Sequence, residues 1–312
     1  MKIGVHVVNA CPWATAESIV SLGMRAEVQG FDSLWVSDQV VIPSELRSSL
    51  SYGATGQYYI EANQNLFEAL SVLSYLAGRT SRVHLGTSVL VLPYRQPLVV
   101  AKQLATLDAL SGSRIVLGVG AGFMREQFKV LGMDMFDQRG AATDEAIRLF
   151  RTVWVAGAEV SFTGEIYRVQ PVRFLPKPAR PGGPPIWFGG NGRRSIRRAA
   201  ELGDGWHPVR IGVNELRTGV ATLHELLDRN GRQPSDLIIS GKFRLYGPGT
   251  GPRDEPHESE LIGRAELIAE KIRSYQNAGL QYLVLDPTQH NASVEALEAL
   301  EFFAQEVQPL LD

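Results

Sequence analysis

Cysteine is nearly missing from this sequence: Cys11 stands alone among 312 residues. A single thiol rules out an intramolecular disulfide and a cysteine-rich zinc centre, and predicts a reduced, cytoplasmic setting. Long apolar runs are missing too. No stretch approaches the roughly 18 apolar residues of a membrane helix, and the opening MKIGVHVV enters a strand-like run rather than a signal peptide. Charge of one sign is not in excess, since 31 Lys and Arg meet 33 Asp and Glu. A formal net charge of -2 predicts neither nucleic acid nor acidic lipid as a partner. Internal repeats at solenoid periods are absent. The six histidines are scattered without ligand spacing, so no metal is expected.

Several catalytic signatures are absent as well. There is no G-x-x-x-x-G-K-[ST] loop and no G-x-S-x-G elbow. GVGAGF at 118–123 places Phe123 where a dinucleotide fingerprint needs its third glycine, and HELLD at 224–228 lacks the second histidine of a zinc-protease helix.

What is present is alternation. Short apolar runs at 3–8, 33–38, 83–92, 114–122, 184–190, 205–209, 237–247 and 282–287 read as strands covered on both faces. Between them run helical stripes: Ile19, Leu22, Gly23 and Ala26; Leu98, Ala101, Leu104 and Ala105; Ala146, Ile147, Phe150 and Trp154; Ile196, Ala199 and Ala200; Leu216, Val220, Leu223 and Leu227; Leu261, Ala265, Ile268 and Ile272; Val294, Leu297, Leu300 and Phe303. Eight strands alternating with helices, without a composition break, predict one domain over 1–312, an α/β fold of the (β/α)8 TIM-barrel type. A doubly wound sheet with a second domain is the alternative. Three long connections, 39–65, 155–183 and 247–262, read as functional insertions, the first and third at the C-terminal mouth. The second carries SFTGEIYRV, whose alternation suits a small hairpin.

Candidate site residues sit at strand ends, where barrel enzymes keep their chemistry. Asp38 and Gln39 follow SLWV, and either orient a bound ring or cap a loop. Trp206 and His207 end the sixth strand; His207 is a possible proton carrier or a structural histidine. In VHLGTSVLVLP the small GTS interrupts a branched strand, which suggests a bulge at Ser88 and Val89 or a packing taper. Glu126 follows the fourth strand. IWFGGNGRRS, at 186–195, reads as strand, turn and helix start, with Gly189, Gly190, Asn191 and Gly192 in the turn and Ser195 in the first helical turn. Free N–H groups there favour an anion, as does the crowd of Arg193, Arg194, Arg197 and Arg198 at the helix's positive end. Exposed arginines on solvated faces are the plain alternative. Lys242 is the one lysine that stands out in a strand.

GFDSLWVSDQV, RVHLGTSVLVLPYRQPLVVAKQLATLDALSGSRIVLGVGAGF, RGAATDEAIRLFRTVW, GGPPIWFGGNGRRSIRRAAELGDGWHP and AGLQYLVLD together resemble the luciferase-like monooxygenase superfamily. More closely, they resemble its branch of coenzyme F420 (deazaflavin)-dependent oxidoreductases. The resemblance covers nearly the whole chain in order. It implies a bacterial luciferase-like barrel with a flavin or deazaflavin ring at its mouth and a non-prolyl cis peptide at Ser88–Val89 behind the ring. It also implies a phosphate loop at Gly189–Ser195, Asp38 near the ring's polar edge, and a homodimer. Where many F420-dependent members carry histidine this chain has Gln39, which hydrogen-bonds but cannot donate a proton near neutral pH.

The expected function is therefore hydride transfer between coenzyme F420 and a small organic substrate. Asp38, Gln39, Ser88, Val89 and the 189–195 turn would hold the cofactor. Trp13, Trp206, His207 and the 39–65 loop would shape the substrate pocket, with His207 and Glu126 as candidate proton donors. Three rivals remain: an FMN-dependent monooxygenase on the same fold, a non-redox barrel such as a lyase, and a cofactor-binding protein without catalysis.

Overall fold

Strands that are apolar on both faces need cover on both sides, and a closed barrel wrapped by helices supplies it. The computed structural model describes residues 1–44, 64–155, 157–252 and 255–311, so most of the 39–65 connection lies outside the described residues. The barrel strands are β1 (Lys2–His6), β2 (Ser33–Val36), β3 (His84–Thr87), β4 (Ile115–Gly120), β5 (Ile186–Gly189), β6 (Gly205–His207), β7 (Ile238–Arg244) and β8 (Tyr282–Asp286). Each pairs in parallel with its neighbours in chain order, and β8 pairs with β1 to close the ring. The helices are α1 (Ala16–Val28), α2 (Ala69–Ala77), α3 (Pro97–Ser111), α4 (Arg125–Val130), α5 (Arg139–Val155), α6 (Arg193–Leu202), α7 (Val213–Arg229), α8 (Ala265–Asn277) and α9 (Ser293–Phe302).

Local sequence explains their limits. Thr15 caps α1, accepting from Ser18 N at 3.0 Å while Ser18 Oγ accepts from Thr15 N at 2.9 Å. Pro97 opens α3, where its missing N–H costs nothing, and Gly112 ends it with φ of 70°. The hairpin expected within 155–183 is present, pairing Glu159–Thr163 antiparallel with Arg168–Arg173.

Two expected helical stripes shift. Helix α8 starts only at Ala265, and Leu261 instead forms a bridge with Leu245. In α9 the buried residues are Ala296, Ala299, Leu300 and Phe302, with Phe303 buried just beyond its end, and Val294 is exposed. The run 83–92 is also not one strand, because pairing stops at Thr87 and resumes at Leu90–Val91 against Val119 and Gly120.

Large rings set against glycines fill the barrel interior. Trp35 stacks on Trp187 at 5.1 Å and on His207 at 5.2 Å, with Tyr282 edge-on at 6.1 Å. A Cβ at Gly4 or Gly86 would stand 2.6 Å and 2.4 Å from the Trp35 ring, and one at Gly205 would stand 2.3 Å from Trp187. Only glycine fits there. The indole of Trp35 and the hydroxyl of Tyr282 are satisfied, both donating to Ser33 Oγ, at 2.6 and 2.8 Å. This plug gives the C-terminal mouth a rigid floor.

Candidate active site

The mouth is built around a bulge. Between β3 and Leu90 the chain turns inward through Ser88 and Val89, whose peptide bond is cis. Glycines on the neighbouring strands make the seat. A Cβ at Gly120 would lie 2.8 Å from Val89 Cγ2, and one at Gly189 would lie 2.7 Å from Val89 Cγ1. At Gly118 it would lie 1.9 Å from the carbonyl oxygen of Thr87. The GVGAGF stretch that fails as a dinucleotide fingerprint therefore supplies room for Val89.

Hydrogen bonds hold the bulge from below. Ser88 N donates to Val36 O at 2.7 Å, and Thr87 Oγ1 donates to Gly118 O at 2.6 Å. His207 Nε2 lies 2.8 Å from Ser88 Oγ, and its Nδ1 lies 2.7 Å from Ser240 Oγ. Ser240 also donates to Trp206 O at 3.2 Å, which leaves its oxygen to accept the Nδ1–H. His207 Nε2 is then the acceptor for the Ser88 hydroxyl. Burial, then the charges of Lys242 and His6, push the pKa of His207 down to about 3. The ring is neutral at physiological pH with both nitrogens engaged.

Asp38 braces the same segment from the side. Its carboxylate takes a two-pronged pair from Arg95, both contacts at 2.7 Å, and accepts from Val91 N at 2.9 Å. Arg95 also reaches Glu68 at 3.0 Å. Burial opposes the guanidinium's charge, but its hydrogen bonds to Asp38 and Glu68 outweigh that and raise its pKa. Gln39 is half-buried and accepts from Gln127 Nε2 at 3.0 Å, while Gln127 itself accepts from the Tyr94 hydroxyl at 2.5 Å.

Across the mouth, the 189–195 turn runs from β5 into α6 as its sequence predicts. Gly190 has φ of 104°, and a Cβ there would meet Ser195 Oγ at 2.7 Å. Asn191 straps the turn to the next strand end, donating to Val209 O at 3.0 Å and accepting from Val209 N at 3.1 Å. Gly192 is the N-cap of α6 and offers no capping side chain. The N–H groups of Arg193 and Arg194 therefore have no intrahelical partner, while Ser195 N already donates to Gly192 O at 2.9 Å. Arg197 pairs with Glu201 and Asp144, and Arg198 with Asp144. Among the described residues Arg193 and Arg194 are exposed and in no ion pair.

Other expected residues fall elsewhere. Trp206 does not face the mouth. Strand alternation turns it outward, where it is fully buried against Gly219 of α7 and donates to Gly190 O at 2.9 Å. Trp13 is half-buried and ties the loop after β1 to the loop after β8, donating to His290 O at 2.7 Å. Glu126 lies half-buried in the first turn of α4.

Sequence reasoning missed the seat of Gly118 and Gly120, the clamp of Arg95, and a charged cluster opposite the bulge. Glycines two apart on a strand, on one face, were the signal for the seat. In the cluster, Lys242 Nζ lies 3.5 Å from Asp286 Oδ2, and His6 Nδ1 lies 3.5 Å from Asp286 Oδ1. His6 Nε2 is 2.8 Å from Ser37 Oγ. Burial, then Lys242, lowers the pKa of His6 to about 3 despite Asp286. Burial works against the Asp286 carboxylate, yet Lys242, His6 and Thr288 hold its pKa well below the usual range.

A helix-wrapped barrel with a bulge and an uncapped helix start at its mouth belongs to a recognised class. The family model described as luciferase-like monooxygenase matches residues 3–246, and the chain belongs to that family. It is an oxidoreductase family. The chain is 31% identical to an F420-dependent glucose-6-phosphate dehydrogenase of Kineococcus radiotolerans, over 73% of this chain and 63% of that protein. It is 26% identical to an FMNH(2)-dependent dimethylsulfone monooxygenase of Pseudomonas fluorescens, over 93% of this chain and 85% of that one. In fold it matches the coenzyme F420-dependent tetrahydromethanopterin reductase of Methanopyrus kandleri, with a TM-score of 0.79 at 17% identity, covering 100% of this chain and 99% of that one. Among the described residues no helix is long and apolar enough to cross a membrane.

Proposed function

We propose that this protein transfers a hydride between coenzyme F420 and a small organic substrate at the C-terminal mouth of the barrel. The observation that carries the reading is a pair of cradles facing one mouth: the glycine-seated bulge at Ser88–Val89 and the uncapped start of α6. A ring cofactor with a phosphate needs both, a firm backing and an anion site. The residues fit such a group. Gly189 lets Val89 seat and Gly190 lets the turn close on Ser195, and the N–H groups of Arg193 and Arg194 at the start of α6, with their exposed side chains, suit a phosphate. When bound, the deazaflavin supplies the hydride chemistry.

The protein's own residues bind, orient and exclude water. Val89 backs the ring. His207 holds Ser88 in place rather than moving a proton, because it is neutral and has both nitrogens engaged. Asp38 acts from behind the site, since Arg95 and Val91 occupy its oxygens. Gln39 offers a hydrogen bond where a histidine would offer a proton. Glu126 is the proposed acid where the reaction needs one. A homodimer in the cytoplasm completes the reading, and light scattering tests the dimer.

The monooxygenase relative, which spans 93% of the chain, favours FMN as a second reading. Titrating the purified protein with F420 and with reduced FMN separates the two. Tight F420 binding supports hydride transfer, and tight FMN binding without F420 binding overturns it. Cofactor binding with no turnover in a broad substrate screen would leave a binding protein.

A further inference from the structure

Lys242 is the strand lysine that the proposed reaction leaves unused. It points inward from β7, and its side chain is 13% exposed. With His6 and His207 neutral and Asp286 ionised, it carries the positive charge of the cluster. Its only ion pair among the described residues, with Asp286, is long at 3.5 Å. No acceptor among the described residues lies within hydrogen-bond geometry of Nζ. An ammonium has three donors, and here the protein meets none of them at hydrogen-bond geometry among the described residues. A second group beside it is in the same condition. His6 is 1% exposed, and its Nδ1 has no hydrogen-bond partner although it lies 3.5 Å from Asp286.

With Ser37 Oγ donating to Nε2, the carboxylate of Asp286 favours the proton on Nδ1 of His6. Two donors then flank one carboxylate on the β7–β8–β1 side of the mouth, and both lack an acceptor. The facing positions on the other strands are small: Ser88, Gly120 and Gly189. Val89 packs over Gly120 and Gly189, and the Lys242 side supplies the polar groups that face it.

We propose that Lys242, with His6 beside it, binds an acceptor oxygen of the substrate, a carbonyl or a carboxylate. Asp286 holds the ammonium in place and neutralises it, so the subsite accepts a neutral carbonyl as well as an anion. The substrate is then an oxygen-bearing compound rather than a hydrocarbon or a thioether. This assignment of the oxygen to a substrate rests on the proposed oxidoreductase function; the subsite itself does not.

The test uses acetate and acetamide as probes, titrated into the full chain and followed by ligand-observed NMR. Both carry an acceptor oxygen, and only acetate carries charge, so the pair distinguishes carboxylate from carbonyl. Removing Lys242 alone would strand a buried carboxylate, so the main variant is the double change Lys242→Met with Asp286→Asn. Saturable binding of either probe by the parent, about tenfold weaker in the double variant and kept in Lys242→Arg, supports the subsite. No saturable binding of either probe by the parent overturns it, and so does equal binding by parent and double variant. The same proteins are titrated with F420 and FMN. The double variant should still bind the cofactor that the parent binds, because the 189–195 turn is untouched. If the parent binds neither cofactor, the oxidoreductase reading falls while the probe result stands on its own.

Discussion

Replacing Gly189 with alanine tests whether glycine seats the bulge. The new Cβ would stand 2.7 Å from Val89 Cγ1 and 3.4 Å from Val119 O. Carbon atoms rest about 3.5–4.0 Å apart, so Val89 has to retreat by roughly 1 Å. Overpacking of this size costs about 1–3 kcal/mol. If Val89 backs the cofactor ring, the same strain is lost from binding, which corresponds to about 5- to 150-fold in Kd. Two other glycines bracket the result. Gly118→Ala drives its Cβ against a backbone oxygen at 1.9 Å, which no side-chain rotation relieves, and should give little folded protein. Gly192→Ala meets nothing within 4 Å at an ordinary φ of -79°, and should cost less than about 1 kcal/mol. Urea denaturation and titration with F420 and FMN read both quantities for all three variants. A Gly189→Ala protein that matches the parent in midpoint and in Kd refutes the argument that this glycine positions Val89.

Further outcomes can be checked alongside. Ser195→Asp places a carboxylate at the positive end of α6, which suits the helix but opposes a phosphate; stability should hold while cofactor Kd rises about tenfold or more. Gly190→Val should weaken the cofactor as well, with a folding cost because φ is 104°. Asp38→Ala leaves the Arg95 guanidinium without its main partner, and should cost about 3–5 kcal/mol in denaturation, with Asp38→Asn milder. Stability should fall on acidification. His6 and His207 have folded pKa values near 3, below their ordinary 6.5, so the unfolded chain binds more protons between those limits. Each histidine should remove about 2 kcal/mol between pH 7 and pH 5, read as a drop in the urea midpoint. His207→Gln should flatten that dependence, and an unchanged slope would mean that His207 is not buried as a neutral ring.

The barrel was legible in the sequence because its causes are local and periodic. Continuous apolar strands, helical stripes, Pro97 and Gly112 each act within a few residues, and eight repeats of the pattern leave few folds. The turn at 189–195 was legible for the same reason, since glycines followed by a helix start define it without outside help. Where Trp206 points was not legible from the pattern of types alone, because both it and its neighbour His207 suit a mouth. Strand alternation fixed by the pairing of β5, β6 and β7 turned one outward and the other in. Asp38 likewise read as either a ring contact or a loop cap, and only the fold brought Arg95, 57 positions along the chain, against both of its oxygens. His207 read as either a proton carrier or a structural histidine, and burial with the hydroxyls of Ser88 and Ser240 favours the second. The sequence by itself determined most of the elements, their order and the glycine turn at 189–195. Only the tertiary structure decided which polar groups were already spent on each other, and which, Lys242 Nζ among them, had no acceptor at hydrogen-bond distance among the described residues. Partners distant in sequence meet only when the barrel closes, and hydrogen-bond satisfaction is a property of those meetings.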